Sequence, residues 1–170
     1  VLAGQAIRAK REARIEAIKQ RATQEVAQFP LENRKVQKAL LALLYWAEGT
    51  KTHPSAFKFA NTDPALALLF LTLLRNTFPI DEQKIRIYLY CHHYHNIARI
   101  RRFWSALLEV PLSQFGKVYL KSRKTTKRKR KNFAGICFIR YGEGAEDLKQ
   151  ELLAIARSIQ THITKPYMRP

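Results

Sequence analysis

The spacing of apolar positions changes repeatedly along the chain, and each change marks an element. Residues 5–28 carry Ile7, Ile15, Ile18, Ala22 and Val26 as a thin stripe in an otherwise basic run. A long polar helix with little to bury is expected there. Phe29-Pro30 ends it, because the residue before a proline is steered away from helical geometry. The next stretch, "VQKALLALLYWAEG", is apolar nearly all round, which predicts a buried helix over 33–48 stopped by Gly49. "SAFKFANT" (55–62) alternates as a half-buried strand does, with Phe57 and Phe59 on one face and Lys58 on the other. Asp63 and Pro64 are placed to cap and open a helix in which Leu66, Leu69, Phe70 and Leu73 recur at helical spacing.

Alternation returns in "QKIRIYLYC" (83–91), where Ile85, Ile87 and Leu89 point one way and Lys84, Arg86, Tyr88 and Tyr90 the other. Residues 96–110 form an amphipathic helix capped by Asn96, with Ile97, Ile100, Phe103, Trp104 and Leu107 as its buried side. "KVYLKS" and "NFAGICFIRY" read as the two strands of a long hairpin joined by "RKTTKRKRK". A last helix over 145–163 has Glu146 and Asp147 in its first turn, where the dipole favours acid. Its stripe is Leu148, Leu152, Ile155 and Ile159. This order predicts an α+β fold: a mostly antiparallel sheet with helices on one face and basic residues on the other. The expected organisation is a basic helical arm (1–32), one domain (33–163) and a loose basic tail (164–170).

Charge sharpens the picture. Lys and Arg total 31 against 13 for Asp and Glu, a formal charge of +18. So much like charge calls for a polyanionic partner, nucleic acid first and an anionic membrane surface second. No apolar run reaches the length of a membrane span, and no amino-terminal signal pattern is visible. Two cysteines, Cys91 and Cys137, are too few for a secreted disulfide scaffold, so an intracellular protein (cytoplasm or nucleoid) with free thiols is expected. Residues 121–131 hold eight cations, Lys121, Arg123, Lys124, Lys127, Arg128, Lys129, Arg130 and Lys131. Such a run is either a solvated loop or a reach along a phosphate backbone, and the second reading is favoured. Base reading would fall to the polar sheet face, Lys58, Arg86, Tyr88, Tyr90, Tyr119 and Arg140.

"CHHYH" (91–95) raises a metal question, since Cys91, His93 and His95 share a face if the strand continues through them. Zinc wants four ligands, or three with an open position, and neither Cys137 nor His53 stands at a diagnostic spacing. Histidines approaching phosphate is the favoured reading. No phosphate-cradling Gly-rich loop and no nucleophile elbow is present, and no small-molecule substrate is implied.

"LALLYWAEG" (41–49) leaves a puzzle: an apolar helix ends in an acid, Glu48, where the dipole disfavours negative charge by ~0.3–1 kcal/mol. The segment resembles the LAGLIDADG motif of homing endonucleases. Leu41, Ala42, Leu44, Ala47 and Gly49 match that motif, and Glu48 stands in for its final acid. Leu43 and Trp46 replace its third-position glycine and sixth-position acid. The resemblance extends in organisation over roughly 37–160. It implies a LAGLIDADG-like fold with a basic DNA-facing saddle and a homodimeric, Mg²⁺-dependent endonuclease acting on double-stranded DNA. The motif helices would meet through Ala39, Ala42, Leu43, Trp46 and Ala47. Glu48 from each chain would hold the cation, which relieves both the dipole penalty and the mutual repulsion. It further implies Lys117 or Lys121 as a basic residue near the metals, Asn61 as a water-positioning group and Lys51 as a DNA contact. The alternatives are a cleavage-inactive DNA-binding regulator on the same scaffold and, behind it, an RNA-binding intron maturase.

Overall fold

A computed structural model describes residues 2–51, 57–121, 133–142 and 144–165. The chain divides into two compact units, Val1–Asn33 and Arg34–Pro170. The first is one helix, α1 (Leu2–Val26), followed by a turn. Every residue from Gly4 to Val26 is exposed, Ile7, Ile15 and Ile18 included. A stripe that thin has no continuous apolar face to offer.

The second unit is α+β, with helices α2 (Arg34–Glu48), α3 (Pro64–Thr77), α4 (Ile97–Leu108) and α5 (Ala145–Thr164). Its strands are β1 (Phe57–Asn61), β2 (Ile85–His92), β3 (Tyr119–Lys121) and β4 (Ile136–Tyr141). Two short 3-10 turns, Glu82–Lys84 and Leu112–Gln114, precede β2 and β3. The sheet order is β1-β4-β2-β3. β4 pairs antiparallel with both β1 and β2, whereas β3 runs parallel to β2. The expected hairpin is therefore corrected: β2 lies between its two strands. Alternation identifies strands but carries no information on which strands neighbour one another.

The inward residues of the sheet, Phe57, Phe59, Ile85, Ile87, Leu89, Cys137 and Ile139, pack with the helices into one core. Tyr45 of α2 is fully buried at its centre, its ring stacked on Phe57 at 4.7 Å and near Phe70 at 6.4 Å. Polar groups fasten the layers. Asp63 caps α3 by accepting from the Ala65 N–H, and Asn96 caps α4 by accepting from the Arg99 N–H. Arg75 of α3 grips both carboxylate oxygens of Glu82 (2.9 and 2.8 Å) and donates to the Leu108 carbonyl at the end of α4. Trp104 donates its indole N–H to the Ala134 carbonyl, tying α4 to the start of β4.

Three burial expectations change. Helix α2 is not buried all round: Leu41, Ala42 and Tyr45 face the core, while Leu40, Leu43 and Trp46 are exposed. Phe103 and Leu69 are also exposed. In each helix the apolar residues span a wider arc than the single sheet beneath can cover. In α4 the covered stripe is the i, i+4, i+8 set Ile100, Trp104 and Leu108.

Candidate nucleic-acid interface

Among the described residues of the second unit no helix covers the sheet's second face, and its residues fall into rows set by strand register. In the first row Lys58, Arg140 and Arg86 are direct cross-strand neighbours on β1, β4 and β2. In the second, Ala60, Phe138 and Tyr88 stand side by side. In the third, Ile136, Tyr90 and Tyr119 do the same on β4, β2 and β3. The six face residues expected from alternation, Lys58, Arg86, Tyr88, Tyr90, Tyr119 and Arg140, are thus brought together. Phe138 and Ile136 belong with them and were missed, because "ICFIRY" is apolar on both faces over its first four residues.

The first row has three like charges in adjacent strands, an arrangement unfavourable when left uncompensated. No described carboxylate forms an ion pair with any of the three. Lys58 instead lies over the Phe138 ring (5.4 Å) and Arg140 over the Tyr88 ring (5.2 Å). Arg86 turns one guanidinium nitrogen to the Gln83 and Ile85 carbonyls. Arg86 and Arg140 also wall a depression of about 380 Å³ whose far side is Gly144, Ala145 and Glu146 at the start of α5. Glu146 is engaged there by Gln150 (2.7 Å) and Lys149 (3.9 Å). A second hollow of about 210 Å³ lies between Lys58, Arg140 and the four rings of Tyr88, Tyr90, Tyr119 and Phe138. The rings pack closely, Tyr90 stacking on Tyr119 at 4.9 Å and tilting against Phe138 at 5.2 Å.

The far end of this face anchors the basic run. Lys121 pairs with His92 in register, and the Phe133 ring lies 5.8 Å from His92. Arg123, Lys124, Lys127, Arg128, Lys129, Arg130 and Lys131 fall outside the described residues, as does His53.

Glu48 ends α2 beside the β1 edge, where Gly49 bridges Phe59 and the Thr50 N–H donates to the Lys58 carbonyl (2.9 Å). It is exposed. Lys51 does not pair with it; its Nζ donates to the Trp46 carbonyl (2.7 Å) and reaches that of Ala47 (3.5 Å). The lysine thus satisfies the helix's last carbonyls, as a cation should, and leaves the carboxylate available. Asn61, at the end of β1, accepts from the Asp63 N–H through Oδ1 (2.8 Å), so its amide nitrogen is the group left to orient a ligand. Lys117 and Lys121 lie at the opposite edge, three strand spacings from β1, roughly 14 Å at the usual separation. The geometry does not gather them with Glu48 in one chain.

Among the expected interface positions, Leu43, Trp46 and Ala47 face outward, Ala39 is half-buried, and Ala42 is corrected: it is sealed in the chain's own core. Leu40 joins the outward stripe and was missed, although its i, i+3 spacing to Leu43 is a readable signal.

No described group of three or more His, Cys, Asp or Glu residues is placed to hold a metal. The shared face of Cys91, His93 and His95 does not form, because β2 stops at His92 and Cys91 points into the core. His95 folds back instead, its Nδ1 accepting the His92 N–H (3.1 Å). Burial, and then the neighbouring His92, push the His95 pKa down. Both cysteines are buried free thiols, and burial raises both. No described helix is long and apolar enough to cross a membrane. No protein-family model, characterised protein or solved structure matches the chain.

Proposed function

We propose that this chain is a site-specific double-stranded DNA-binding protein of LAGLIDADG type, joined as a homodimer through α2 and cutting phosphodiester bonds at Glu48. The observation that carries the DNA reading is the Lys58–Arg140–Arg86 row, three adjacent cations none of which forms an ion pair with a described acid. Phosphates supply the missing charge, with release of counterions.

The dimer reading rests on the α2 stripe of Leu40, Leu43, Trp46 and Ala47, an apolar face that ends at Glu48. A twofold contact along it brings two Glu48 carboxylates to one seam. Mg²⁺ takes one or two carboxylates and fills its remaining positions with water and phosphate oxygens, so two lone glutamates fit it and one chain alone does so poorly. The cation, when bound, supplies Lewis-acid stabilisation of the charged phosphodiester. The chain's own residues do the rest: the cation row fixes the backbone, Lys51 holds the helix end that presents Glu48, and the Asn61 amide orients water.

A second reading, a DNA-binding regulator that does not cut, is favoured by Glu48 standing alone in its chain, outside any described cluster of three His, Cys, Asp or Glu residues. Selection of bound duplexes from a random pool, followed by Mg²⁺, separates the two. The nuclease reading expects a long, near-palindromic site cut on both strands, with Glu48→Gln binding but not cutting. A tightly held site left intact by the unaltered chain selects the regulator.

A further inference from the structure

The middle of the sheet face is poorly made for reading a paired duplex. Bases in a duplex show only their edges, which are read by matched donors and acceptors. The second and third rows offer Ala60, Phe138 and Ile136, with no polar side-chain atom, and three tyrosines with one hydroxyl each. What these rows offer in quantity is ring surface. Tyr90 and Tyr119 remain 43% and 44% exposed although stacked on each other, and with Tyr88 and Phe138 they line the hollow of about 210 Å³. Ring surface binds the faces of bases, and those faces are accessible only when the base has left the helical stack.

We infer that the aromatic rows receive unpaired bases of a nucleic-acid strand whose phosphates lie along Lys58, Arg140 and Arg86. Successive rows are two residues apart along each strand, on the order of 6–7 Å. Cation row and ring rows are therefore parallel and adjacent, the layout a strand needs if its backbone and bases are to be held at once. Lys58 and Arg140, poised over the Phe138 and Tyr88 rings, stand at the boundary between the two. This deepens the proposed DNA reading and rests on it for the cation row. The unpaired bases can come from a free single strand or from a duplex opened at the site.

The test uses the full chain and three probes of one sequence at one salt concentration: a single strand with a central 2-aminopurine among thymines, the fully paired duplex, and a duplex with an unpaired bubble at the 2-aminopurine. Binding of the single strand or the bubble should quench the 2-aminopurine as it stacks. Tyr119→Leu and Tyr90→Leu should each weaken that binding by roughly 5- to 100-fold. They should weaken binding of the fully paired duplex by less than that, and Tyr119→Phe, which keeps the ring, should restore binding. Tight binding of the bubble but not the strand identifies an opened duplex as the source; the converse identifies a free strand. Binding to unpaired probes with none to any paired duplex sinks the duplex-dimer reading and leaves the aromatic rows standing. Equal losses on all three probes, or binding without quenching, overturns the inference while leaving the cation row as a phosphate contact. Binding to no probe overturns both.

Discussion

Tyr45 shows how one side chain joins the motif helix to the core. Its ring stacks on Phe57, its hydroxyl donates to the Thr50 carbonyl (2.9 Å), and Gly49 passes against it so closely that a Cβ there would sit 2.5 Å from both ring and Tyr45 carbonyl. Burial raises its pKa to about 12. The folded state therefore favours the neutral phenol, and the stability this contributes is complete below pH 10 and is lost as pH rises from 10 towards 12. Tyr45→Phe should lose about 1 kcal/mol at neutral pH with the hydrogen bond. Its unfolding free energy should then fall less steeply than that of the unaltered chain between pH 10 and 12, as urea melts across that range would record. Gly49→Ala, with backbone in the way as well as the ring, should destabilise by about 1–3 kcal/mol at unchanged m-value. Position 49 was legible as a helix stop. The close approach to Tyr45 was not, since nothing in the order of residues says which side of a helix end a following glycine will press against.

Helix α2 carries two faces of different use. Leu41, Ala42 and Tyr45 are spent on the core, and Leu40, Leu43 and Trp46 remain outside. The helix itself was readable from its apolar run, but a run apolar all round does not say which side the sheet will take. Trp46→Glu, on the outer stripe and away from the core, should leave the chain folded, with a melting temperature lowered only by the lost association, and shift self-association to monomer in sedimentation velocity. A monomer already present in the unaltered chain at micromolar concentration would count against the α2 dimer. The strand does not continue through 93–95, and the chain closes a turn at His95 instead. His95 has a depressed pKa, so its contribution to that turn is present above pH 6.5 and is lost as pH falls below it. Protection of the His92 amide from hydrogen exchange, corrected for the intrinsic rate, should fall as pH drops below 6.5, and His95→Asn should abolish that pH response.

The domain's charge is distributed with purpose across its open face: a cation row at one end, ring rows in the middle, and at the other end the anchor points of the basic run, Lys121 and Phe133. Duplex affinity should fall steeply with salt. Lys58→Ala, Arg86→Ala and Arg140→Ala should each lower the magnitude of the log–log slope by ~0.9, the value for one phosphate contact. A variant that lost affinity at constant slope would show that its cation touches no phosphate. The α+β class, the helices and the two faces of each strand were legible because period and charge are local properties. Strand order was not, because pairing partners are distant in sequence. That order has a consequence for how the chain acquires its shape. β4 is the partner of both β1 and β2, and it comes last of the four strands. Until residues 136–141 leave the ribosome, β1 and β2 have no strand to lie between them, and the loops to be closed are long. The sheet is then completed in a single late step from contacts far apart in sequence, a topology that folds slowly and leaves two apolar strands waiting for their shared neighbour.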